Sequence, residues 1–117
     1  MNLMRTAFAA ALVGATLALP ASAEAKRKWP VVTITLASHY YYPSPIYFAG
    51  GVPTRVIFQN RSNKTHDFKA PAFFRNARII GGAAPGGVIR LARGGAAVID
   101  LVPRRGHYRV HCTQPFH

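Results

Sequence analysis

Apolar and polar positions alternate over short runs, and nothing beyond residue 24 has the three-to-four spacing of a long amphipathic helix. Residues 31–36 (Val-Val-Thr-Ile-Thr-Leu) are β-branched and apolar and predict a strand. Tyr40-Tyr41-Tyr42-Pro43-Ser44-Pro45 breaks that run, because two prolines exclude a central strand. Residues 46–48 predict a short edge strand, stopped by Gly50-Gly51. In residues 54–60, Val56 and Phe58 alternate with Arg55, Ile57 and Gln59, giving one apolar and one mixed face. Residues 61–65 form a polar turn, residues 71–77 suit a short helical turn or loop, and residues 81–87 read as a flexible loop. Residues 88–91 and 96–102 predict two strands joined by Arg93-Gly94-Gly95, a hairpin signal. Within the second of these, Ile99 and Leu101 share a face, with Asp100 opposite. Residues 103–106 turn the chain and residues 107–112 form the last strand. Many short strands separated by turn residues indicate an all-β antiparallel sandwich or barrel.

The first segment has a different pattern. Residues 1–5 carry one positive charge, residues 6–19 are apolar, and Pro20 precedes Ala21-Ser22-Ala23. That order reads as a secretory signal peptide spanning residues 1–23. The apolar run is shorter than the roughly 20 residues that a spanning helix needs. Cleavage leaves residues 24–117 as one domain, long enough for one modest core, in the periplasm or secreted. Its acids are few: only Glu24, Asp67 and Asp100 are negative, and the chain's formal net charge is +12. Such a field favours anionic partners. Export argues against nucleic acid, and the bases are scattered apart from Lys26-Arg27-Lys28. That leaves an acidic docking surface on a partner protein, peripheral contact with an anionic membrane surface, or simply a solvated basic exterior. So few carboxylates offer no acid–base pair, which argues against an enzyme.

The chain has a single cysteine, Cys112. An exported protein with one thiol makes no internal disulfide, so Cys112 is buried, reactive or a ligand. Strand alternation puts Tyr108, Val110 and Cys112 on the core face, and His107, Arg109 and His111 on the solvent face. His111 is therefore turned away from Cys112, although adjacent to it. Beyond Cys112, Pro115 ends the strand, and the tight loop that follows brings His117 back beside the thiol. One soft sulfur and one borderline nitrogen, joined by a second imidazole, make the His₂Cys set that suits copper electron-transfer sites. His66, which follows the polar turn, is the best source of that imidazole. The competing readings are a structural thiol at Cys112, a turn residue at His66 and a frayed end at His117. His39 suits packing or a turn, and His107 and His111 suit adventitious metal at most.

Three segments together resemble the cupredoxin family, the plastocyanin and azurin group. Tyr42-Pro43-Ser44-Pro45-Ile46 with Gly51 is similar to its aromatic–Pro segment and following glycine. Phe58-Gln59-Asn60 with Thr65-His66-Asp67-Phe68 is similar to its strand, Asn and first His ligand. Gly106-His107-Tyr108 through Cys112-Thr113-Gln114-Pro115-Phe116-His117 is similar to its Gly-x-Tyr strand and Cys–Pro–His loop. The resemblance implies a Greek-key antiparallel β-sandwich holding one copper ion, as Cu⁺ or Cu²⁺, through His66, Cys112 and His117. It also implies that Asn60 braces the ligand loops by hydrogen bonds. The family's weak axial Met, which lies beyond the loop His, has no counterpart up to His117: either the sequence is truncated or another group fills that position. The function expected is one-electron transfer to a redox partner. The alternatives are a copper-delivery module without redox cycling and a metal-free sandwich that binds an anionic partner.

Overall fold

A computed structural model describes residues 29–112. The signal-peptide reading of residues 1–23 and the ligand assigned to His117 fall outside them. The strands in chain order are β1 (Val31–Leu36), β2 (Tyr41–Tyr42), β3 (Thr54–Asn60), β4 (His66–Lys69), β5 (Arg78–Gly81), β6 (Val88–Leu91) and β7 (Ala96–Val102). A short helix, α1 (Pro71–Asn76), joins β4 to β5. Pro71 sits in its first turn, where the missing N–H costs nothing.

Two sheets form. One has five strands in the order β2-β1-β3-β7-β5, and the other pairs β4 with β6. In β1, β3, β6 and β7 the core-facing apolar residues are the ones that alternation predicts. Ile34 and Leu36 of β1, Val56 and Phe58 of β3, and Ile99 and Leu101 of β7 meet Phe68 of β4 and Ile89 and Leu91 of β6. Phe73 and Phe74 of α1 close one end of this core. Phe58 lies at its centre, with ring centroids 5.0 Å from Phe68 and 6.3 Å from Phe74. The β-sandwich expectation therefore holds.

Four features differ from the sequence expectation. First, β1 and β3 run parallel, from Val31 opposite Arg55 to Leu36 opposite Asn60, whereas every other ladder is antiparallel. The long connection through residues 37–53 permits this, because parallel neighbours need a crossover of about a dozen residues or more. Second, β6 and β7 do not form a hairpin. β6 pairs with β4, while β7 pairs with β3 and β5. The glycine turn instead carries the chain from one sheet to the other, and Asn60 exchanges backbone hydrogen bonds with Gly94 and Gly95 there. Third, residues 46–48 make no ladder. Ile46 and Phe48 anchor them by packing on the core, with Phe48 stacked 5.0 Å from Phe73. Fourth, residues 107–112 are extended but join the second sheet only through Lys69 and His111. Those two exchange backbone hydrogen bonds of 2.9 and 3.0 Å.

Gly87 shows how tightly α1 is seated. Its φ is +77°, and a Cβ there would stand 2.4 Å from the Pro71 Cα. Only glycine allows both the backbone angle and the approach. The contact fixes the start of α1, and so the exit of the chain from β4.

Candidate metal centre

The ends of β1, β3 and β6 and the start of β4 meet at one end of the sandwich. Leu36 lies opposite Asn60, and His66 lies opposite Leu91. Asn60 is the clasp between them. It is buried, and its Nδ2 donates to the carbonyls of Lys64 (2.7 Å), Leu91 (3.0 Å) and Ala92 (3.2 Å). Its Oδ1 accepts from the Ser62 backbone N–H (3.0 Å) and hydroxyl (2.7 Å). One amide thus ties the turn that leads into His66 to the turn that leaves β6. Asn60→Ala leaves several carbonyls without their donor. The stability lost to chemical denaturation is about 1–3 kcal/mol, the cost of unsatisfied buried polar groups. A loss under ~0.5 kcal/mol, typical of an ordinary surface change, would show that the clasp holds nothing.

His66 opens β4 and is 2% exposed. Its strand is buried at three successive residues, His66, Asp67 and Phe68. Asp67 is covered as fully as Phe68, and its carboxylate lies 3.5 Å from the Arg90 guanidinium, directly across the ladder. A carboxylate taken out of water needs such a cation.

Cys112 is half-buried at the edge of the described residues. Lys69 pairs antiparallel with His111, so the register sets Cys112 opposite Phe68. Residues opposite one another share a face, and so do residues two apart on a strand. Phe68, Cys112 and His66 therefore face the same side. The alternation read along residues 107–112 is observed: Tyr108, Val110 and Cys112 turn inward, and His107, Arg109 and His111 are exposed. His39 is exposed as well.

Two residues near Cys112 and His66 escaped sequence reasoning. Asp67 is one. Tyr41 is the other, the only member of its run to face inward, since Tyr40 is 63% and Tyr42 66% exposed. Its ring meets Phe68 edge-on at 5.3 Å, and its hydroxyl donates to the Asp67 carbonyl at 2.8 Å. Burial, then the Cys112 thiol and the Asp67 carboxylate nearby, hold the Tyr41 hydroxyl well above its usual range. Extending strand alternation across residues 40–42 would have singled it out.

Among the described residues, no three His, Cys, Asp or Glu side chains converge as a metal cage. His66 and Cys112 place one nitrogen and one sulfur on a common face, and a metal site built on them would draw its third donor from outside the described residues. The donor types fit copper: thiolate and imidazole are the pair that a His₂Cys site requires.

The family model for a cupredoxin-like domain matches residues 7–117. No curated protein matches the chain.

Proposed function

The chain belongs to the cupredoxin-like family, and on that premise we propose that it binds one copper ion through His66, Cys112 and His117 and carries single electrons. The observation behind this reading is a buried imidazole sharing a face with the only thiol in the chain. Bound there, copper supplies a one-electron Cu(II)/Cu(I) couple. The residues around it supply rigidity. Asn60 fixes the loop before His66, β4 lies between two partners, and Phe68 backs Cys112. A donor set held in place by packing changes little between oxidation states, which keeps the rearrangement accompanying electron transfer small. No substrate is turned over. The setting is the periplasm or the cell exterior, and the partner is a redox protein with an acidic docking surface, in keeping with the net charge of +12.

The test is titration of metal-free protein with Cu(II). One equivalent should bind and produce an intense visible band from thiolate-to-copper charge transfer. Tight Cu(I) binding without that band would point to copper delivery. Failure to take up stoichiometric copper would end the proposal and leave a sandwich that acts through its basic surface.

A further inference from the structure

We propose that the end of the sandwich opposite the candidate metal centre rests on an anionic membrane surface, so that the metal end points away from the bilayer. β1 and β3 start at this end and β7 finishes there. Val31 lies opposite Arg55, Thr54 opposite Leu101, and Arg78 of β5 opposite Val102. Beyond β7, the turn that carries Arg104 and Arg105 packs on Gly50 and Gly51. The Gly51 N–H donates to the Pro103 carbonyl at 2.8 Å, and a Cβ on Gly50 would stand 3.2 Å from the Arg105 Cβ. The Tyr108 hydroxyl donates to the Arg104 carbonyl at 2.9 Å, which holds the turn in shape.

This end displays both positive charge and apolar side chains. Arg78, Arg104 and Arg105 are exposed. Of the two acids among the described residues, Asp67 is buried in β4, and Asp100 is held by Arg55 through hydrogen bonds of 2.8 and 3.1 Å. At the same end Val31 is 58% and Val52 38% exposed. The chain also enters the fold here. The Arg55 N–H donates to the Pro30 carbonyl at 2.9 Å, and Trp29, the only tryptophan, comes just before. Lys26-Arg27-Lys28 is joined directly to Trp29, so the one massed basic run of the sequence is delivered to an end that already carries three exposed arginines. An acidic protein would answer the bases alone. Bases set among exposed valines and a tryptophan suit an apolar layer lying just beneath an anionic one, which is the order of acyl chains under headgroups. Position also argues against a redox partner at this end. β3 has seven residues, and a strand rises ~3.3 Å per residue, so a partner seated here would lie roughly 20 Å from the metal centre. With this end on the membrane, the metal end stays free for that partner. That consequence rests on the copper reading, whereas the membrane contact does not.

The test mixes the metal-free processed chain, residues 24–117, with vesicles of anionic phosphatidylglycerol or zwitterionic phosphatidylcholine. Trp29 reports the contact. With phosphatidylglycerol alone, its emission should move to shorter wavelength and be quenched by bromine-labelled acyl chains, and about 0.5 M salt should weaken binding steeply. Arg104→Glu/Arg105→Glu should weaken binding by roughly tenfold or more, since each base near such a surface contributes about fivefold. Arg61→Glu/Lys64→Glu makes the same charge change at the metal end and acts only through the screened long-range field, so its loss should stay below about threefold. All four side chains are exposed, and thermal unfolding checks that each variant folds. Equal losses in the two double variants would mean that net charge, not this end, drives binding, and would overturn the proposal. Vesicle binding that leaves Trp29 emission unchanged would put the contact on another face and overturn it as well. So would a failure to bind phosphatidylglycerol vesicles at all; retention on immobilised polyglutamate in that case would identify an acidic protein as the occupant. None of these outcomes depends on copper, so a failure here and a failure of the copper titration are read separately.

Discussion

Cys112→Ser will bind copper without colour, and weakly. The visible charge-transfer band disappears altogether, because serine offers no ionised sulfur to donate charge. Removing a group that only supports a ligand costs roughly 10–100-fold in metal affinity, and losing the ligand itself costs more than that. The fold survives the change. Cys112 is half-buried, and serine has nearly the same shape, so thermal unfolding of the metal-free variant stays within a few degrees of wild type. The pairing of these two results gives the test its force. Visible absorption reports the ligand, and calorimetry reports the fold. Colour that persists in a folded Cys112→Ser protein would mean that the sulfur is not a ligand at all, and the assignment of His66 and His117 would have to be rebuilt around another donor.

Phe58→Ala should lower the unfolding free energy by about 3–5 kcal/mol, the usual cost of truncating a buried aromatic side chain. That is a large part of the roughly 5–15 kcal/mol that holds a domain of this kind together. Phe58 is fully buried on β3, the middle strand of the five-stranded sheet. Its ring spans the interior to meet Phe68 of the second sheet and Phe74 of α1. Truncation opens a hole where three elements meet, and rigid neighbours collapse into it only in part. Urea denaturation measures the effect directly. A loss below ~1.5 kcal/mol, the scale of a tolerated isosteric swap, would mean that the two sheets are not held apart by these rings. Because Phe68 also backs Cys112, the same variant should broaden the copper spectrum.

The parts of this fold that were legible in the sequence share a cause. β1, β3, β6 and β7 each have at least one apolar residue facing the core at regular intervals, and their limits matched the pattern. So did the inward set Tyr108, Val110 and Cys112, although these residues form one bridge rather than a strand. β4 was hidden because both of its faces are covered. Three successive buried residues, two of them polar, give no alternation to read. β5 was hidden for the opposite reason: Arg78, Ile79 and Ile80 are all exposed at a sheet edge, and a bulge between Ile79 and Gly81 breaks the register. The hairpin expected between β6 and β7 failed because a glycine turn specifies a reversal, not the sheet to which the next strand returns. What decided that was Asn60, whose hydrogen bonds hold the turn against the end of β3. In the site, strand alternation turned Cys112 inward and the polar turn pointed to His66, but Tyr41 was passed over because its run was read only as a break in the strand.

The crossing from β6 to β7 also bears on how quickly the chain reaches this structure. Of the five ladders, only the two-residue pairing of β1 with β2 joins strands that are neighbours in sequence. All the others close long stretches of chain, and the loop entropy is lost before any ladder forms. Topologies dominated by such distant pairings fold in milliseconds to seconds rather than microseconds. β3 pairs with β1 early in the chain order but must wait for β7 to cover its other edge, and β5 waits for the same strand. Until β7 arrives, two open edges are exposed to other chains. For a protein of this topology, the speed of that one arrival governs how much of it folds and how much aggregates.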